Sequence, residues 1–275
     1  MNYRELLQKG VSELEQSGNP EAEVDAWFLL EFITGMRKQD YFLKMNEPAK
    51  EKEIGEYGQI LQKRKAHIPL QYITGTQEFM GLEFFVDSSV LIPRQDTETL
   101  VERALKIVEP QDEILDMCTG SGCILISLLK NRAGAKGTGV DVSEPALETA
   151  KKNALHNGIE AKWVCSDLFS EVEDKFDVIV SNPPYIATQE IETLMPEVVK
   201  FEPWGALDGH EDGVFFYKKI LEEAAFYLKG KKYLLFEIGY DQGGPVSDLM
   251  RRAGFFDVEV IRDYSGNDRV VMGHL

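Results

Sequence analysis

Ile114-Leu-Asp-Met-Cys-Thr-Gly-Ser-Gly122, followed at once by Cys123-Ile-Leu-Ile-Ser-Leu-Leu-Lys-Asn131, decides the fold. The first run is apolar over the length of a strand and then breaks at two glycines. The second is apolar over the length of a short helix. Together they predict a strand at Glu113–Met117, a glycine loop and a helix at Cys123–Asn131. The same alternation continues downstream. Strands are expected at Gly137–Val142, Ala161–Cys165, Phe176–Ser181, Lys232–Ile238, Phe256–Arg262 and Asp268–Met272. Helices are expected at Ser143–Asn157, Gly213–Leu228 and Pro245–Ala253. Alternating strands and helices imply an α/β fold with a mostly parallel, doubly wound, seven-stranded sheet. Only Tyr264-Ser-Gly-Asn267 separates the last two strands, so the last strand is expected to be antiparallel.

The glycine loop also says what the sheet holds. Gly120 and Gly122 let a ligand approach the backbone, and the helix that follows favours a negative group at its N-terminus. A dinucleotide fingerprint needs a third glycine at 125, where the chain has Leu125. A carboxylate is therefore favoured over a pyrophosphate. Asp141 ends the next strand, about twenty residues on, where an acidic side chain accepts ribose hydroxyls. The competing role, a helix cap, is already offered by Ser143. Asp167, after the third strand, can accept from an adenine amine, and Leu168 can pack on the adenine face. Asp116 can orient an amino group. A nucleoside with an amino-acid tail and no phosphates is S-adenosylmethionine, with S-adenosylhomocysteine as its product.

Asn182-Pro183-Pro184-Tyr185 follows the strand Phe176–Ser181. Proline fixes its own φ and pushes the preceding residue to extended geometry. The carbonyls of Asn182 and Pro183 are thereby held in set directions, able to accept both hydrogens of an –NH2 group. Tyr185 can pack flat on the planar group that carries this nitrogen. The plainer reading is a rigid turn after a strand.

The first 70 residues read as helices, with Leu6, Leu7, Val11 and Leu14 in register, a second helix at Glu21–Thr34 and a third at Lys50–Ala66. Trp27 and Phe28 are expected in that bundle's core. Residues 67–75 read as a linker, and 77–86 as a hairpin. Asp96 or Thr97 is expected to cap a helix at Glu98–Val108. The resulting division is 1–70, 71–95 and 96–275. The net charge of −17 weighs against a polyphosphate partner, and Lys63-Arg64-Lys65 reads as solvated surface. No apolar run is long enough for a membrane span. The N-terminal stretch has no apolar leader core, so a cytoplasmic location is expected. Cys118, Cys123 and Cys165 form neither a disulfide framework nor a metal-ligand pattern.

These residues resemble the HemK/PrmC-type glutamine methyltransferases that modify peptide chain release factors. The resemblance is carried by Pro69–Gly75, Glu78–Glu83, Leu91–Arg94, Asp116–Gly122, Ser181–Ile186, Ala206–Gly209, Glu211–Gly213, Glu237–Gly243 and Asp263–Gly266. It implies a class I methyltransferase fold behind an N-terminal helical domain that meets the release factor, with the glutamine of a Gly-Gly-Gln motif as substrate. Carried over by position, Cys118, Thr119, Gly120, Ser121 and Gly122 hold the cofactor with Asp141. Asn182 and the Pro183 carbonyl hold the substrate amide. Pro184 and Tyr185 complete that pocket, and Asn182 also borders the cofactor. No nucleic acid partner and a monomeric chain are expected. Two positions depart from the family pattern: Gln95-Asp96 stands for Pro-Glu, and His210 for a glycine. The rival readings are a glutamine methyltransferase acting on a ribosomal protein, an adenine-amine DNA methyltransferase and a nucleotide-binding scaffold without catalysis.

Overall fold

The structure, a computed structural model, describes residues 1–275 apart from the side chain of Lys231. The chain divides into two units. One comprises Met1–Gly75 with Met195–Phe201, and the other Thr76–Leu194 with Glu202–Leu275.

The first unit is helical: α1 (Tyr3–Gln16), α2 (Ala22–Thr34), α3 (Lys38–Lys44), α4 (Glu51–Lys65) and α5 (Leu70–Thr74), with a later helix at Pro196–Phe201. Helix α1 starts at a capping box. The Asn2 side chain accepts from the Glu5 amide at 2.9 Å, and Glu5 reaches back to the Asn2 amide at 3.0 Å. Leu6, Leu14, Leu29, Leu30, Tyr57 and Leu61 form its core. Each contributes about 2 kcal/mol through the apolar area it buries. Tyr57 donates its hydroxyl to the Ala26 carbonyl at 2.9 Å, so this buried phenol is not orphaned.

Three expectations change here. Residues 67–75 are not simply a linker, because Leu70–Thr74 closes a helical turn ending at Gly75 in the left-handed conformation (φ 81°). Phe28 is not core: it is 46% exposed, while Trp27 is half-buried with its ring against Tyr41. Arg64 is not solvated. It is buried and pairs with Asp25 at 2.6 Å and with Glu197 at 2.5 Å. The second pairing ties the Pro196–Phe201 helix to this unit across a long stretch of sequence.

The second unit opens with the hairpin β1 (Thr76–Phe79) and β2 (Leu82–Phe85), followed by α6 (Glu98–Ala104), β3 (Glu113–Met117), α7 (Cys123–Asn131), β4 (Lys136–Asp141), α8 (Glu144–Asn157), β5 (Lys162–Cys165) and β6 (Phe176–Ser181). It continues through α9 (Thr188–Ile191), α10 (the Pro196–Phe201 helix of the first unit), α11 (Phe215–Tyr227), β7 (Leu228–Glu237), α12 (Gly243–Arg252), β8 (Phe256–Arg262) and β9 (Asp268–His274). The hairpin is no free linker. Phe79 and Phe84 are buried with α6 and α7 residues, and Asn153 of α8 bonds both backbone groups of Phe85.

The strand order is β5-β4-β3-β6-β7-β9-β8. Pairing is parallel from β5 through β7, and β9 runs antiparallel to both its neighbours. The sheet is thus the expected doubly wound one with an antiparallel last strand. Strand β3 is buried on both faces because helices cover both. Leu125 fills the space beside Gly137, where an added Cβ would lie 2.5 Å from it. The order reverses between β3 and β6, which opens a crevice at their C-terminal ends. Among the described residues, no helix is long and apolar enough to cross a membrane.

Candidate active site

The two decisive motifs meet at this crevice. Ser181, the last residue of β6, donates its hydroxyl to the Met117 carbonyl at the end of β3 at 2.7 Å. This bond fixes the glycine loop and the Asn182 tetrapeptide side by side. Between them lies a cavity of about 350 Å³. That volume falls within the range of small-molecule sites.

The loop wall consists of Cys118, Thr119, Gly120 and Ser121. Its shape is set by backbone geometry: Cys118, Gly120 and Gly122 have φ of 63°, 54° and 79°. Thr119 donates to Asp116 Oδ2 at 2.5 Å, the Leu125 amide donates to the same oxygen at 3.3 Å, and the Ser121 carbonyl accepts from Asn153 at 2.9 Å. Asp116 itself is not in the loop. It lies within β3, fully buried, and does not line the cavity. Burial raises its pKa to about 7, and its Oδ1 has no partner. Gly122 lies off the cavity, as the N-terminal cap of α7.

Asp141 stands on the cavity wall at the end of β4. Its Oδ2 accepts from the Gly120 amide and its Oδ1 from the Ser143 amide, each at 2.9 Å. Ser143 separately caps α8 through Ala146. Each carboxylate oxygen keeps a lone pair for a further donor. Burial raises the pKa of Asp141 too. Asp167 and Leu168 line the same cavity, Leu168 with φ 48°. Val142 adds an apolar wall although it is 70% exposed.

On the opposite side stand Asn182 and Pro184. Asn182 donates through Nδ2 to Thr97 Oγ1 at 3.5 Å. Pro183 is buried and is not among the lining residues. Neither is Tyr185, whose hydroxyl lies 3.4 Å from Glu237 Oε1. Burial raises the Tyr185 phenol above its ordinary pKa. The expected flat packing of this ring in the pocket is therefore not what the structure places there. The Tyr185 carbonyl is anchored instead, accepting from Gln242 Nε2 at 2.9 Å.

Several contributors were not singled out from sequence. Thr97 lines the cavity and makes no cap bond to α6, so the cap expected at 96 or 97 does not form. Asp96 instead pairs with Arg269 at 3.2 Å. Phe216 and Pro203 also face the cavity. Glu202, buried, pairs with Arg94 and accepts from the Ile92 amide at 3.3 Å. A lone glutamate before a proline carries no sequence signal for this. His210 is exposed, has φ 65° and packs its ring 4.3 Å from that of Phe215. That backbone angle accounts for a glycine as the usual residue there. Among the described residues, no three His, Cys, Asp or Glu side chains are placed to hold a metal.

Chemically, the cavity offers carboxylate acceptors at one end and an amide carbonyl beside a rigid proline at the other. A nucleoside with a cationic tail suits the first. A planar –NH2 donor suits the second. The spare lone pairs of Asp141 on the cavity wall fit S-adenosylmethionine, which brings two ribose hydroxyls.

Comparison with known proteins agrees. Residues 5–75 match the PrmC N-terminal domain, and residues 95–200 the methyltransferase small domain. The release factor glutamine methyltransferase of Fusobacterium nucleatum subsp. nucleatum is 39% identical over 274 residues, spanning 98% of this chain and 77% of that protein. Its counterpart in Geobacter sulfurreducens is 39% identical over 263 residues, spanning 95% and 93%. The crystal structure of a methyltransferase from Pyrococcus furiosus has the same fold, with a TM-score of 0.56 at 19% identity over 78% of this chain and 98% of that one.

Proposed function

The chain belongs to the release factor glutamine methyltransferase family, and we propose from that premise that it transfers a methyl group from S-adenosylmethionine to the side-chain amide nitrogen of the glutamine in the Gly-Gly-Gln motif of peptide chain release factors. The observation that carries this reading is the meeting of the Cys118–Ser121 loop and Asn182 on one cavity at the switch point of the sheet. The helical unit, matched over residues 5–75 by the PrmC N-terminal domain, recognises the release factor.

When bound, S-adenosylmethionine supplies an electrophilic sulfonium methyl. The chain's own residues position the partners. Asp141 accepts the ribose hydroxyls, and Asp167 the adenine amine. Leu168 and Val142 cover the base. Asp116, buried behind the loop wall, accepts from Thr119 and from the Leu125 amide and so shapes the loop that meets the cofactor's tail. A carboxamide nitrogen is a weak nucleophile because its lone pair is delocalised. Asn182 Oδ1 accepts from its –NH2 group and aims the lone pair, while Pro183, buried behind the wall, restricts Asn182 to extended geometry. Pro184 closes the wall, while Tyr185, held by Gln242, keeps the tetrapeptide backbone in place. Alignment and electrostatics provide the acceleration, with no covalent intermediate and no strong base. The surplus proton leaves to solvent.

Two substitutions test the two halves separately. Asn182→Ala should lower kcat by about 10²–10³-fold, as loss of one preorganised polar contact does, while cofactor affinity holds within about threefold. Asp141→Ala should weaken cofactor binding by calorimetry by about 10–100-fold, the value of one or two hydrogen bonds to a charged group. Near-normal turnover in folded Asn182→Ala, or unchanged affinity in Asp141→Ala, contradicts the corresponding assignment.

A further inference from the structure

Among the described residues that line the cavity, Arg94 carries the one cationic side chain, and Asp141 and Asp167 carry the acidic ones. The strand order spreads these charges along the wall. Asp167 follows β5, Asp141 ends β4, the Cys118–Ser121 loop follows β3 and Asn182 follows β6, and the strands lie side by side in that order. Arg94 stands at the β6 end. Its carbonyl accepts from the Thr97 amide at 3.1 Å, and the Thr97 hydroxyl meets Asn182 Nδ2 at 3.5 Å. The guanidinium is fixed from behind. Its Nη2 pairs with Glu202, whose side chain is 1% exposed and also accepts from the Ile92 amide at 3.3 Å. A guanidinium has five N–H donors in a planar fork. Glu202 takes one nitrogen, and the Arg94 side chain stays 40% exposed. The other anion site expected on this wall, the N-terminus of α7, is already in use: its Leu125 amide donates to the chain's own Asp116 at 3.3 Å, and Gly122 at the cap lies off the cavity.

We propose that Arg94 binds the carboxylate of the cofactor's amino-acid tail, through the donors that Glu202 leaves free. S-adenosylmethionine and S-adenosylhomocysteine each carry one anionic group, that carboxylate, and the wall offers one cation to meet it. A planar guanidinium matches a carboxylate with two parallel N–H donors. Reversing the ligand would set its carboxylate against Asp141 and Asp167 and leave Arg94 without its partner, so charge selects the direction in which the nucleoside lies. This assignment rests on the S-adenosylmethionine reading above and gives the tail a partner of its own.

The test compares two ligands by calorimetry: S-adenosylhomocysteine, and its decarboxylated analogue, which keeps adenine, ribose, sulfur and ammonium. The wild-type protein should bind the first about 10–100-fold more tightly, the value of hydrogen bonds to a charged group. Arg94→Gln should abolish this preference by weakening S-adenosylhomocysteine alone, with the analogue within about threefold of wild type. Asp141→Ala, on the ribose side, should weaken both ligands alike and keep the preference. Should Arg94→Gln not fold with Glu202 left unpaired, Arg94→Gln combined with Glu202→Gln carries the same test. A wild-type protein that binds the two ligands equally overturns the assignment alone, as does an Arg94→Gln that weakens both equally or neither. A wild-type protein that binds neither ligand overturns the S-adenosylmethionine reading and the assignment with it.

Discussion

Gly213 lies behind the tetrapeptide, and replacing it with alanine should damage the site from outside the cavity. Its φ of 67° places it in the left-handed region, and an added Cβ would lie 2.5 Å from the Tyr185 carbonyl oxygen and 2.8 Å from Gln242 Nε2. Those two atoms are hydrogen-bonded at 2.9 Å, so the methyl group would wedge into the bond that anchors Tyr185. The closer approach is about 0.9 Å short of the 3.4 Å at which ordinary contact begins. The backbone strain costs about 1–2 kcal/mol, and overpacking against backbone about 1–3 kcal/mol more. The expected loss is therefore about 2–5 kcal/mol. At about 2–4 °C per kcal/mol for a unit of this size, Tm should fall by roughly 5–15 °C. Relief by shifting Tyr185 would move Asn182, three residues upstream, and a displacement near 1 Å costs about 10²-fold in rate. Gly158→Ala is the control: its φ is also 67°, but nothing lies within 4 Å of the added atom. It should show the strain alone, with kcat unchanged. Thermal unfolding and methyl-transfer kinetics on the three proteins decide the matter. A Gly213→Ala protein as stable as Gly158→Ala, with kcat within threefold of wild type, would refute the argument.

Thiol reactivity should be confined to one cysteine. Cys165 is exposed, whereas burial raises the Cys123 thiol to about 12 and pushes that of Cys118 up beside Asp141, so iodoacetamide near pH ~8 should label Cys165 alone, and comparable adducts on the other two would contradict the burial. Stability should depend on pH through Glu237, whose pKa is raised by burial from 4.5 to about 7. The folded chain holds that proton where the unfolded chain has released it, so this contribution is full below 4.5 and is lost as pH rises through about 7. Relative to wild type, Glu237→Gln should therefore gain up to about 3 kcal/mol across that window in chemical denaturation, and a flat difference refutes it. Arg94→Ala should cost about 2–4 kcal/mol by stranding the Glu202 carboxylate, whose side chain is 1% exposed. Adding Glu202→Gln should recover part of the loss, and full additivity of the two losses would show that the pair is not coupled.

The sheet was legible because its signals are local. Strands β3, β6 and β8 and helix α7 lie on the expected residues, since each is an apolar run bounded by glycine, proline or charge. The cavity walls from Cys118, Asp141, Asp167 and Asn182 were legible for the same reason, each ending a strand whose C-terminal end a doubly wound fold turns toward its ligand. What escaped depends on contacts distant in sequence. Arg64 reads as surface until Asp25 and Glu197 are brought to it. Thr97 resembles a helix cap, but its side chain meets Asn182 across 85 positions instead. Glu202 gains meaning only through Arg94, 108 positions away. Tyr185 shows the limit of motif reasoning, because its ring can serve either a substrate or Glu237, and only the packing around Glu237 decides.

The central claim is that Asn182 and the glycine loop serve one transfer to a glutamine nitrogen. The direct measurement is tandem mass spectrometry of an unmethylated release factor after incubation with this protein and S-adenosylmethionine. The account expects one added methyl on the glutamine side chain of the Gly-Gly-Gln peptide, absent with Asn182→Ala. A release factor left unmodified by the folded, cofactor-binding protein, or a methyl found on any other residue, would contradict it.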